Sequence, residues 1–185
     1  MGDLIEEVPY REVTTALVTQ RLGLSPGAFY RYFADINEAI LELTPGMRHA
    51  SDAVATIVST SPWAGAAGHE TALAVLDSMA GFWIDHRVLY RVTDLCANEG
   101  DERFSRVKAS TFAGLTDAFC HVIATFQRAG RHRDDVEPFA AACVVVALVI
   151  HTTARETGFG LAGVRPESLR AHVARLMELA VTGGP

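Results

Sequence analysis

Apolar positions recur at helical spacing along most of this chain, and the breaks between them fall at glycine, proline and hydroxyl residues, so the pattern predicts an all-α protein. The first clear pair of helices lies between residues 14 and 33. Thr14 is a hydroxyl N-cap, Leu17, Val18 and Leu22 share a face, and Gly23 supplies the left-handed position that stops a helix. Ser25 caps the next helix and Pro26 takes its first position, where a missing N–H costs nothing. Phe29 and Phe33, four apart, are expected to pack inward against Leu17, Val18 and Leu24.

Asp35 or Asn37 caps a helix over 38–43, which breaks or kinks at Pro45-Gly46 and resumes over 47–58; the joint reads equally as a hinge or a plain loop. Residues 59–69 are rich in breakers and read as a loop. Helical spacing returns over 70–85, with Leu73, Leu76, Met79 or Ala80 and Trp83 on one stripe, Val75 and Phe82 beside it, and a short helix over 87–96. A longer helix is predicted over 101–128, from the stripe Phe104, Val107, Thr111, Phe112, Leu115, Phe119, Val122 and Phe126 to Gly130. The run from 139 to 150 is apolar on every face but too short to span a bilayer, so it must be covered on two sides. After a glycine-rich loop over 158–163, the last helix starts near Pro166 with Leu169, Val173, Leu176 and Leu179 or Ala180 aligned.

With its rings inside, the second helix of the first pair leaves Gly27, Ala28, Tyr30 and Arg31 outside. Small residues let a helix end approach base edges, while Arg and Tyr reach guanine or phosphate oxygens. That is the arrangement of a helix-turn-helix whose second helix reads the major groove. Arg31 and Tyr30 are the candidate side-chain contacts; Thr14, Ser25, Pro26, Gly27, Ala28 and Tyr32 complete the DNA-binding set.

The stretch from Gly23 to Phe33, followed by Asp35 and Ile40-Leu41, resembles the DNA-binding signature of tetracycline-repressor-type (TetR family) transcriptional regulators. The resemblance covers about residues 10–43. It implies an all-helical homodimer with an N-terminal helix-turn-helix unit, here 1–44, and a larger helical ligand-binding and dimerisation domain, here 45–185. It further implies a mostly apolar pocket for a small apolar effector, for which Trp63, Phe82, Trp83, Tyr90, Phe112 and Phe119 are candidates, with Asn98, His121 and Thr125 as polar groups. The helices at about 136–157 and 166–181 look like the dimer interface, a four-helix bundle built by both subunits. The family's full first helix is represented only by residues 2–8 ahead of Pro9, so the native chain is expected to begin earlier. Position 36 is Ile where the family often has a phosphate-contacting Lys, and position 28 is Ala rather than the frequent Thr.

Charge complicates this picture. Residues 1–48 carry Arg11, Arg21, Arg31 and Arg48 against Asp3, Glu6, Glu7, Glu12, Asp35, Glu38 and Glu42, a net acidic unit rather than a basic patch. A helical small-molecule-binding protein of this fold that has lost specific DNA binding is therefore the alternative reading. The whole chain, 185 residues with 49% hydrophobic residues and net charge −6, has the composition of a soluble globular protein with no signal-peptide pattern at its start, and a cytoplasmic location is expected. Cys96, Cys120 and Cys143 are too far apart for a metal or disulfide spacing and read as reduced thiols. None of the seven histidines sits in a HExxH-like spacing, and there is no glycine-rich phosphate loop or GxSxG elbow, so neither an enzyme nor a bound cofactor or metal is expected.

Overall fold

A computed structural model describes residues 2–184. Among them every regular element is helical: α1 Gly2–Glu7, a 3-10 turn Tyr10–Glu12, α2 Thr15–Leu22, α3 Pro26–Phe29, α4 Ile36–Leu41, α5 Pro45–Thr60, α6 Ala66–Asn98, α7 Glu102–Thr111, α8 Ala113–Arg128, α9 Pro138–Ala154, α10 Glu156–Leu161 and α11 Pro166–Thr182. No helix among the described residues is long and apolar enough to cross a membrane.

The chain forms two compact units, Met1–Arg48 with His86–Ser110, and His49–Asp85 with Thr111–Pro185. Grouping by contact thus adds part of α6 and α7 to the N-terminal segment, where reading in sequence order divides the chain at 44. Helices α5 and α6 each begin in one unit and end in the other. The first unit is built on Leu4, Ile5, Val13, Val18, Phe29, Ile40, Met47, Leu89, Val92 and Phe104, all buried. In the second, α8, α9 and α11 pack on one another around Leu115, Phe119, Ile123, Val145, Val149, Val173 and Met177.

Several predicted boundaries move. The stretches 70–85 and 87–96 are one helix, because Met79, Phe82, Trp83, Leu89, Val92 and Cys96 keep a single buried stripe while Ile84, Asp85 and Arg87 lie outside it. The stretch 101–128 is two helices: Phe112 leaves helical geometry at φ −110°, ψ 13°, and Gly114 passes so close to Asp52 that a Cβ would lie 2.8 Å from its carboxylate. Pro45 does not kink a helix but opens α5, the one place where its missing N–H is harmless. The glycine-rich segment near 158–163 contains the short helix α10, which ends at Leu161, two residues before Gly163 turns at φ +84°.

Two predicted faces are also rotated. Leu22 and Leu24 are half exposed, and the inner face of α2 is instead Val18 with Thr19, whose hydroxyl donates to the Thr15 carbonyl at 2.9 Å and so is satisfied inside. On α11 the buried stripe is Val173, Ala174, Met177 and Val181, which puts Leu176 outside at 54% exposure.

Candidate nucleic-acid interface

Local capping sets the geometry of the helix pair. The Thr14 hydroxyl accepts from the Leu17 N–H at 3.2 Å to start α2. Gly23 ends it at φ 65°, ψ 27°, and the Leu24 N–H reaches back to the Thr19 carbonyl at 2.9 Å. Ser25 is extended, its hydroxyl accepts from the Ala28 N–H at 3.3 Å, and Pro26 occupies the first position of α3. Helix α3 is a single turn. Bonds from the Tyr32 and Phe33 N–H groups to the Phe29 carbonyl carry the coil on to residue 33.

The rings divide this turn into an inside and an outside. Phe29 is 5% exposed and packs on Phe33 with centroids 5.4 Å apart, while Tyr30 meets its edge at 5.6 Å. Tyr30 and Tyr32 are 59% and 73% exposed, and Arg31 is exposed beside them. The Tyr30 hydroxyl donates to Thr15 Oγ1 at 3.4 Å, which ties the outer face of α3 to the first turn of α2. Ala28 is half-buried, and Gly27 is open: a Cβ there would meet no protein atom within 4 Å. Of the predicted set, Thr14, Ser25, Pro26, Gly27, Tyr30, Arg31 and Tyr32 are each exposed, and Ala28 is half-buried.

Its electrostatics are selective. Arg21 pairs with Glu7 at 2.6 Å, a hydrogen bond that lowers the Glu7 carboxyl below its ordinary pKa. Arg11 pairs with Glu99 at 3.0 Å. Arg31 and Arg48, the other two arginines in 1–48, have no carboxylate partner among the described residues.

Sequence reasoning missed a polar network in the same unit. The Tyr10 hydroxyl donates to Asn37 Oδ1, the Cys96 thiol donates to the Tyr10 oxygen at 3.2 Å, and Asn37 Nδ2 donates to Asp101 at 3.4 Å. Asp101 in turn accepts from Arg103 through both oxygens, and Arg103 lies 3.6 Å from Asp35, the cap of α4. Nothing in the spacing of residues 10, 37, 96 and 101 announces that they meet.

Two family models match: one described as bacterial regulatory proteins, tetR family, over residues 3–43, and one described as the tetracyclin repressor-like C-terminal domain over residues 54–184. The chain belongs to the TetR family. Family membership makes it a DNA-binding transcriptional regulator with its helix-turn-helix at the N-terminal end. No curated protein matches the chain.

In the C-terminal domain of this TetR-family chain, the aromatic residues predicted to line a pocket are packed together. Phe82 meets Trp83 at 5.1 Å and Phe112 at 5.2 Å, and Trp63 meets Phe119 at 5.9 Å. The Trp83 indole N–H donates to Thr153 Oγ1 at 2.7 Å. Tyr90, half-buried, and Asn98 belong to the other unit. The polar groups expected to face a ligand lie at the surface: Asn98 is exposed and donates to Asp94, His121 is exposed on α8, and the Thr125 hydroxyl is spent on the His121 carbonyl at 2.8 Å.

Proposed function

We propose that the protein is a ligand-responsive repressor that binds a palindromic operator as a homodimer. One observation carries the reading: a capped turn holds Phe29 inside and leaves Tyr30, Tyr32 and Arg31, which has no carboxylate partner among the described residues, outside with an unencumbered Gly27. Arg31 suits a bidentate contact to guanine O6 and N7, or a phosphate; the tyrosines suit phosphates. Thr14, Ser25 and Pro26 fix where the backbone N–H groups of the two helix starts point.

Dimerisation is supported by α9, on which Phe139, Ala140, Cys143, Val144 and Ala147 form an exposed apolar stripe at helical spacing, and by Leu176 on α11, which packs against α9. In such a dimer the two reading turns lie about 34–36 Å apart, one turn of DNA. Effector in the larger unit favours a spacing that no longer fits. By linkage, operator and effector then weaken each other by the same factor.

The test is a salt-dependent gel-shift titration of the DNA upstream of the protein's own gene, with wild type and Arg31→Ala. Specific binding that weakens at least about tenfold in the variant supports the reading. Equal, nonspecific binding by both would leave a ligand-binding protein of this fold without operator recognition.

A further inference from the structure

A cleft of about 700 Å³ opens in the larger unit, between the loop ahead of α6, the end of α8 and the end of α11. Small-molecule sites commonly enclose about 300–1,000 Å³. Its walls are held by contacts already made. Thr71 Oγ1 donates to the Pro62 carbonyl at 2.6 Å, and His132 Nε2 lies 3.1 Å from the Ala180 carbonyl. Gly68 presses on Trp63 so tightly that a Cβ would overlap its carbonyl oxygen, and Gly183, at φ +82°, lets the end of α11 pass against the Arg131 carbonyl.

The lining combines apolar side chains with two arginines and one carboxylate, Glu178. The Trp63 indole N–H is spent on the Val58 carbonyl at 2.9 Å and the residue is buried, so the accessible apolar lining is chiefly Phe126 and Leu179. Arg175 lies 2.8 Å from Glu178, whose other neighbour is His69 Nδ1 at 3.7 Å, so these two opposite charges cancel. Arg131 is exposed and has no carboxylate partner among the described residues. Among the described residues the cleft therefore presents one guanidinium without a carboxylate partner, Arg131, together with the apolar side chains of Phe126 and Leu179.

We propose that this cleft binds a monocarboxylate with an apolar body, the carboxylate on Arg131 and the carbon skeleton on Phe126 and Leu179. A guanidinium matches a carboxylate through two parallel hydrogen bonds, which a neutral alcohol of the same length does not reproduce. A cation of that length is repelled. In naming the class of effector, the proposal rests on the ligand-responsive reading above.

Calorimetric titration of the full chain with decanoate, and with decanol as the uncharged match, tests the site. Arg131→Gln is expected to weaken decanoate at least about tenfold and to leave decanol unchanged, whereas Arg106→Gln, on α7, changes neither. Wild type that ignores decanoate, or Arg131→Gln that binds it as tightly as wild type, overturns the site. The same proteins on operator DNA separate the two readings. Decanoate that releases DNA from wild type but needs about tenfold more for Arg131→Gln supports both. Release at equal concentrations from both proteins overturns the cleft as the effector site while the ligand-responsive reading stands. Decanoate that binds through Arg131 without releasing DNA leaves the cleft as a carboxylate site and removes its effector role.

Discussion

The Cys96 thiol lies 3.2 Å from the Tyr10 hydroxyl, joining the turn ahead of α2 to the last turns of the long helix α6. Burial first, then the adjacent thiol and the charges of Glu99 and Asp101, raise the Tyr10 phenol above its ordinary pKa; burial likewise raises the Cys96 thiol. Both groups therefore keep their protons at neutral pH, and the chain from thiol to phenol to Asn37 stays intact. Tyr10→Phe strips a partner from each neighbour in a part-buried site and is expected to destabilise the protein by about 1–3 kcal/mol. Urea unfolding measures it, and an unchanged midpoint would show that this chain contributes nothing.

Next to it, the Arg103 guanidinium reaches the two oxygens of Asp101 at 3.1 and 2.7 Å. Hydrogen bonding from Arg103 outweighs burial and pushes the Asp101 carboxyl down to about 2. An unfolded Asp titrates near about 3.9. Since the folded value is the lower one, the unfolded chain binds the extra proton, and the contribution is fully present above about pH 4 and is lost as pH falls toward about 2. Because Arg103 is partly exposed, water screens the pair and its worth is held to about 1 kcal/mol or less. Asp101→Asn should flatten the acid limb of the stability curve in that window and match wild type below it. A variant whose acid limb parallels wild type through the window would assign the loss to other carboxylates.

Gly23 and Gly27 stand four residues apart with opposite requirements. Gly23 is at φ +65°, where an L side chain is strained, and Gly23→Ala is expected to cost about 1 kcal/mol by weakening the stop of α2. Gly27 is in ordinary helical conformation with no protein atom within 4 Å of the place a methyl would take, so Gly27→Ala leaves stability unchanged or raises it by up to about 1 kcal/mol. If the outer face of α3 meets base edges, the same methyl lowers operator affinity. Thermal unfolding and gel shifts on the pair of variants check this, and full operator binding by Gly27→Ala would move the DNA contact away from α3.

These contrasts trace how far sequence reasoning reached. Caps at Thr14, Ser25 and Asp35 and the stop at Gly23 act on backbone groups within four residues, so residue type alone reveals them. Periodicity found the helices but not their joints. The break at Phe112 accompanies the close approach of Gly114 to Asp52, and the continuity of α6 depends on which face is buried, facts that exist only after packing. The Tyr10 network and the Arg131 cleft were illegible for the same reason: their members are far apart in the chain, and nothing in the sequence says that Arg131 meets Phe126 and Leu179 or that Tyr10 meets Cys96.

Val144 tests the dimer most directly. It is 69% exposed in the single chain, in the middle of the α9 stripe, so a charge there meets water in the protomer and costs its fold little. In a two-fold interface the same charge is desolvated against its own copy, and each carboxylate faces the other. Val144→Asp is therefore expected to sediment as a monomer with a helical circular dichroism spectrum like that of wild type. Operator affinity should fall with it, because two half-sites held one DNA turn apart act as one site only when the subunits are joined. A variant that stays dimeric would move the interface off the α9 stripe, and with it the spacing that a palindromic operator requires.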